Sequence, residues 1–147
     1  MIDLTPIIRI GFEKIARRTD SWSSSSEDLQ KNVLRKLLRL STATEYGRRH
    51  RFADIARSQN SYAAFAGIPT MEYEDMRRLV MRMIKGEKDV LWPGRCLNFA
   101  QSSGTSGGKS KFIPITDASL YGNHYAGGAD VVAHYLRQVS ESRLFSG

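Results

Sequence analysis

Apolar residues recur along this chain at helical spacing in long stretches near its ends and middle, and gather into two short runs between the last of these. The first helix is predicted over about residues 6–18, with Ile7, Ile8, Phe12, Ile15 and Ala16 on one side. A polar, serine-rich connector over residues 20–28 ends in helix-capping residues. The second helix, over about residues 27–42, carries Leu29, Val33, Leu34, Leu37, Leu38 and Leu40. Five of these stand at i, i+4, i+5, i+8 and i+9, with Lys31, Arg35 and Arg39 opposite. Residues 44–55 read as turn-rich, and the lone His50 among arginines reads as structural. A short helix is expected over residues 61–66, broken by Gly67-Ile68-Pro69. Thr70 then caps a helix over about residues 72–85 whose Met76, Leu79, Val80 and Met83 point one way, and Gly86 ends it.

Beyond Trp92-Pro93-Gly94 the period changes. Leu97-Asn98-Phe99-Ala100 and Phe112-Ile113-Pro114-Ile115 read as the two antiparallel strands of a hairpin. Thr116 or Asp117 caps a final helix to about residue 139, with Leu120, His124, Gly127, Gly128, Val131, Val132, Tyr135, Leu136 and Val139 as its stripe. The Gly127-Gly128 pair is costly in a helix, about 1 kcal/mol each relative to alanine, and is read as a place of close approach or tight packing. The expected fold class is α/β: a helix-rich chain with one β-hairpin.

Between the two strands lies Ser102-Ser103-Gly104-Thr105-Ser106-Gly107-Gly108-Lys109-Ser110-Lys111. Glycines let a backbone approach a ligand closely, and successive N–H groups in such a turn form an anion-binding nest. Hydroxyls add donors suited to phosphate oxygens, and lysine adds full positive charge. A Walker A loop requires G-x-x-x-x-G-K-[ST] leading into a helix. Here Gly108-Lys109-Ser110 fits its end, but Ser103 stands where the first glycine belongs and a strand follows. The Walker reading fails on spacing and on context. A plain Gly/Ser linker fits poorly too, because strand-like residues abut both ends.

Composition narrows the field. The net charge is +7 over 147 residues. The basic residues are dispersed at helical spacing, as on a solvated face, and no recognition module or aromatic-interleaved basic stripe accompanies them. Neither a nucleic acid nor a membrane is therefore expected as a partner. Cys96 is the only cysteine, so no internal disulfide can form and a reducing, cytoplasmic setting fits; it reads as a small packed hydrophobe. No run reaches membrane-spanning length, and the first residues lack a signal-peptide pattern. His124 and His134 are not spaced as a metal pair, and no metal site is indicated.

The loop matches the phosphate-binding motif of acyl-adenylating enzymes, a Ser/Thr/Gly-rich hairpin loop that ends in lysine. Upstream stand Thr44-Glu45-Tyr46-Gly47, Arg49-His50-Arg51-Phe52, Ile68-Pro69, Tyr73-Glu74-Asp75-Met76 and Gly86-Glu87, in that order. This ordered set, over roughly residues 30–140 by the extent of the pattern, resembles the auxin-responsive (Gretchen Hagen) family of acyl-acid amido synthetases, a branch of the adenylate-forming superfamily.

The resemblance implies a two-step reaction in which a carboxylic acid is adenylated by ATP with Mg2+, then conjugated to an amino acid. Under it Ser102, Ser103, Gly104, Thr105, Ser106 and Gly107 line the β- and γ-phosphates. Lys111 is the motif's catalytic lysine, and Lys109 falls at a variable position. The family's proteins are several times longer. The chain therefore reads as the N-terminal part of the large adenylation domain, over residues 1–147, inactive alone. An acyl- or aryl-CoA ligase of the same superfamily is the alternative within the class. A non-catalytic basic nucleotide- or RNA-binding module is the alternative outside it.

Overall fold

The computed structural model describes residues 2–102 and 110–147, which form two compact units. One joins the residues up to Ser26 to Asp117–Gly147; the other is Glu27–Thr116.

In the first unit, α1 (Thr5–Asp20) packs on α8 (Ala126–Gln138). Pro6 sits in the first turn of α1, where its missing N–H has no intrahelical partner to lose. Asp3 Oδ1 accepts from the Thr5 N–H at 2.9 Å. Ala16, Ala133 and Leu136 are buried. Small side chains on both helices allow close approach, and ion pairs flank the contact. Arg137 reaches Asp20 at 2.8 Å and Glu13 at 3.2 Å, and Arg18 reaches Asp130 at 3.3 Å. The Arg9 guanidinium donates to the carbonyls of Leu136, Val139 (3.2 Å) and Ser140 (2.9 Å). It thereby satisfies acceptors that the end of a helix leaves open.

The last helix departs from the regular period expected of it. Asp117–Ser119 (α7) passes into a π-helical segment, Leu120–Tyr125, before α8 begins. Each i→i+5 bond takes in one residue more than an α-turn, which rotates the faces on either side of it. Of the expected stripe only Leu136 is buried, while Val131 is 70% exposed and the unpredicted Ala133 is buried. Among the described residues, beyond each glycine's chain neighbours and its own helix backbone, nothing lies within 4 Å of a Cβ built on Gly127 or Gly128. The stripe on α1 fares better, with Ala16 buried and Ile8, Phe12 and Ile15 half-buried, but Ile7 is exposed.

The connector expected over residues 20–28 is mostly helix. α2 runs Trp22–Leu40, kinked at Ser25, whose φ of −139° is not helical. In the second unit α2 buries Leu38 and half-buries Leu34, leaving Leu29, Val33 and Leu37 exposed.

The stretch expected to be turns holds two short helices, α3 (Glu45–Arg49) and α4 (Phe52–Arg57). Arg51 separates them at a φ of 53°. Leu38, Phe52 and Ala56 make one small core with Leu34, Tyr46, Ile55 and Ile68 packed around it. The His50 ring lies 4.3 Å from that of Tyr46, tilted by 44°, in keeping with a structural role. α5 (Ser61–Ala66) is as expected, its N-terminus capped by Asn60 Oδ1 accepting from Ala63 N–H at 3.1 Å.

α6 (Tyr73–Ile84) buries Leu79, Val80 and Met83 as its pattern predicts. Its cap is Glu72 rather than Thr70, because Asp75 reaches back to the Glu72 N–H at 3.3 Å. Gly86, at a φ of +90°, turns the chain beyond it. Leu79, Met83, Val90 and Cys96 form the second core, with Tyr46, Leu91, Trp92 and Phe99 against it. Cys96 is thus the packed small hydrophobe its sequence context suggests.

β1 (Asn98–Ser102) and β2 (Lys111–Ile115) pair antiparallel, in register from Asn98↔Ile115 to Ser102↔Lys111. A strand therefore follows the loop where a Walker A loop would need a helix. The fold class is α/β, helix-rich with one two-stranded sheet.

Candidate functional site

The candidate site stands at the loop end of the β1–β2 hairpin, and a rigid corner behind it sets where the hairpin begins. That corner starts at Thr44, which is buried. Thr44 Oγ1 accepts from the Gly47 N–H at 2.9 Å and donates to the Ser41 carbonyl at 2.7 Å. This N-cap satisfies one of the donors at the start of α3. Two more find partners in a later segment: Glu45 N–H donates to Asp89 O at 2.7 Å and Tyr46 N–H to Val90 O at 3.1 Å. At Gly47 a Cβ would lie 2.0 Å from the Ser41 carbonyl oxygen, so only glycine fits. Tyr46 packs against both small cores. The motif Thr44-Glu45-Tyr46-Gly47 is thereby explained as architecture.

Charge holds the same corner. Arg82 on α6 donates to Glu45 Oε2 at 2.6 Å and, through Nε, to Glu87 Oε2 at 2.7 Å; Arg49 reaches Glu45 at 2.9 Å. Arg82's hydrogen bonds hold the Glu45 and Glu87 carboxyls below the usual range, and both carboxylates stabilise the protonated guanidinium in return. From there Asp89, at a φ of 57°, closes a turn on Gly94: Gly94 N–H donates to Asp89 Oδ1 at 2.7 Å and Asp89 N–H to Gly94 O at 3.1 Å. The Cys96 thiol then lies 3.3 Å from the Asn98 carbonyl and 3.5 Å from the Ile115 carbonyl, at the end of both strands away from the loop.

At the other end of the ladder Ser102 and Lys111 face each other as the last cross-strand pair. The structure therefore brings together the two site residues that terminate the motif. Ser103, Gly104, Thr105, Ser106 and Gly107 lie outside the described residues, as do Gly108 and Lys109. Lys111 is exposed, and its Nζ sits over the ring of Tyr73 at 5.4 Å from the centroid, within the range of a cation–π contact. The same tyrosine's hydroxyl accepts from Phe112 N–H at 2.7 Å and donates to Phe112 O at 3.2 Å. Periodicity gave no hint of this tie; its only trace in the sequence is the place of Tyr73 in the quoted motif set. Among the described residues no group of three or more His, Cys, Asp or Glu stands close enough to hold a metal ion. No helix among them is long and apolar enough to cross a membrane.

Comparison with known proteins agrees with the upstream motifs. The chain is 28% identical over 102 residues to an indole-3-acetic acid-amido synthetase, GH3.17, of Arabidopsis thaliana, covering 69% of this chain and 16% of that protein. To 4-substituted benzoates-glutamate ligase GH3.12 of the same plant it is 30% identical over 121 residues, covering 80% of this chain and 20% of that protein. Indole-3-acetic acid-amido synthetase GH3.6, also of Arabidopsis thaliana, is 31% identical over 100 residues, covering 67% and 16%. The chain thus spans a fifth or less of the length of these relatives. The family profile described as the GH3 family N-terminal domain matches residues 16–146, and the chain belongs to the GH3 family.

Proposed function

We propose that this chain is the N-terminal part of an ATP-dependent acyl-acid amido synthetase, and that its hairpin loop holds the nucleotide's terminal phosphates. One observation carries the reading: Ser102 and the exposed Lys111, the two ends of the Ser/Thr/Gly-rich stretch, are the last cross-strand pair of a braced strand pair. Hydroxyls, backbone N–H groups and an ammonium are the donors that phosphate oxygens require. Mg2+ would come with ATP, on the nucleotide's own phosphates.

ATP supplies the leaving group. A carboxylate oxygen of the acid bonds to the α-phosphorus as the bond to pyrophosphate breaks, and the amine of an amino acid then displaces AMP from the acyl carbon. Lys111 stands where negative charge grows on the departing pyrophosphate and stabilises it as it develops. Ser102, with Ser103, Gly104, Thr105, Ser106 and Gly107, supplies the remaining donors. The acid and amino-acid partners follow from the relatives' names, which join indole-3-acetic acid or a 4-substituted benzoate in amide or glutamate linkage. A thiol kept buried and unpaired at Cys96 suits a cytoplasmic setting. Residues 1–147 alone, a fifth or less of the relatives' length, are expected to hold phosphate without completing either step.

The test is carboxylate-dependent exchange of labelled pyrophosphate into ATP by the complete gene product. Lys111→Ala should slow exchange by roughly 30- to 1,000-fold, a loss on the order of 2–4 kcal/mol of transition-state stabilisation, with little change in acid binding. Lys109→Ala should cost much less, and Thr105→Ala should fall between them. If Lys109 is the more damaging lysine, the register assigned to the loop is wrong. If neither lysine matters, the adenylation reading fails.

A further inference from the structure

We propose that Tyr73 is the positioning residue of the candidate phosphate site, fixing Lys111 in place by gripping both the strand that carries it and its ammonium group. The consequence for nucleotide binding rests on the function proposed above; the positioning itself does not.

Ser102↔Lys111 is the terminal pair and Gln101↔Phe112 the next. In an antiparallel ladder a pair whose N–H and C=O groups face its partner alternates with one whose groups face away. Phe112 presents its N–H and C=O to Tyr73, so both point to the free edge of β2. A single hydroxyl can accept from the N–H and donate to the C=O together. Tyr73 does both, at 2.7 and 3.2 Å, and so closes the strand edge at the residue next to Lys111.

The ring of Tyr73 does the second half of the work. It lies 5.4 Å from Lys111 Nζ, and the negative face of the ring attracts the ammonium. A lysine stem is long and rotates freely, so an exposed ammonium has no preferred place unless something holds it. Tyr73 holds the residue after Lys111 through its hydroxyl and Lys111 itself through its ring. The grip is anchored in turn, because Tyr73 is the first residue of α6, whose Leu79 and Met83 are buried in the second core.

Nuclear magnetic resonance on the ligand-free full chain separates these two functions. The methylene protons of Lys111 beside its ammonium should be shifted upfield by the Tyr73 ring. Tyr73→Phe keeps the ring and loses the hydroxyl. The upfield shift should persist while amide exchange at Phe112 rises roughly five-fold over its neighbours Lys111 and Ile113. Tyr73→Leu should abolish the shift as well. Titration with MgATP adds the coupling: Tyr73→Leu should weaken binding in the wild-type background and have no further effect when Lys111→Ala is already present. Unshifted Lys111 signals in the wild type would overturn the proposal. So would a uniform rise in exchange along β2, or a Tyr73→Leu penalty undiminished in the Lys111→Ala background. A chain that binds no MgATP refutes the phosphate reading, and the ligand-free measurements then still decide whether Tyr73 positions Lys111.

Discussion

The corner behind the hairpin and the hairpin itself are built to different standards. The corner, made of α3, the end of α6 and the turn through Gly86 and Gly94, is overdetermined. A buried threonine cap, two backbone bonds from a distant segment, a glycine with no room for a Cβ and an arginine between two carboxylates all fix the same few residues. Among the described residues the hairpin is a single pair of strands, with Ile113 half-exposed and its loop end carried on Ser102 and Lys111. Two strands alone are marginal in water, so this pair depends on Cys96 and Phe99 below and Tyr73 at the side. Thr44, Glu45 and Gly47, which belong to the set by which this chain resembles its family, hold the corner. The phosphate contacts proposed above fall instead to the loop that the hairpin carries.

The sharpest way to break this comparison is at Gly47. A Cβ there would sit 2.0 Å from a backbone oxygen, which cannot yield without moving the end of α2. Gly47→Ala should destabilise the chain by about 3 kcal/mol, seen as a lowered midpoint in urea. A loss under about 1 kcal/mol would mean that the corner is soft. Thr44→Ala comes next, at about 1.5 kcal/mol, because it removes the cap on α3. Thr44→Ser should restore most of that by keeping the hydroxyl. On the hairpin the same assay should barely respond: Ile113→Thr, at a half-exposed strand position, should cost less than about 0.5 kcal/mol. A larger cost would show that the hairpin shares the corner's rigidity.

Legibility in the sequence follows the same division. α6 and the two strands were readable because their apolar positions repeat with the right period and meet a core on one side. α3 and α4 were not, since each spans only a turn or so. The first of them is held by Thr44 and by the carbonyls of Asp89 and Val90, which no local pattern announces. The face of α8 was misread in part because the π-helical segment interrupts the period: Ala133 is buried beside the expected Leu136, while the larger Val131 and Tyr135 are exposed. Of the motif residues, Ser102 and Lys111 are the last pair of the ladder, so the stretch read as a loop between two strands does lie between them. The tie from Tyr73 to Phe112 spans 39 residues and joins a hydroxyl to backbone, which leaves no periodic trace.

The smallest expected effect concerns the charges of the corner and appears only in acid. Glu45 and Glu87 have carboxyls held below their usual range, chiefly by hydrogen bonds from Arg82. A carboxylate whose pKa is lower in the folded chain than in the unfolded one binds fewer protons when folded. It adds stability above the unfolded value, about 4.3 for glutamate, and loses it as the pH falls through the folded value. Arg82 stays charged throughout this window, and Arg49 remains beside Glu45. Arg82→Met removes the shared partner while leaving the other ion pairs of the chain, such as Arg137 with Glu13, untouched. Thermal midpoints measured from pH 7 to pH 3 should therefore show the variant below the wild type at neutral pH. The gap should narrow once the pH falls below about 4.3 and close toward the acid end. Parallel curves across the whole range would show that Arg82 does not hold these carboxylates in solution, and the corner's rigidity would then rest on Thr44, Gly47 and the backbone bonds to Asp89 and Val90 alone.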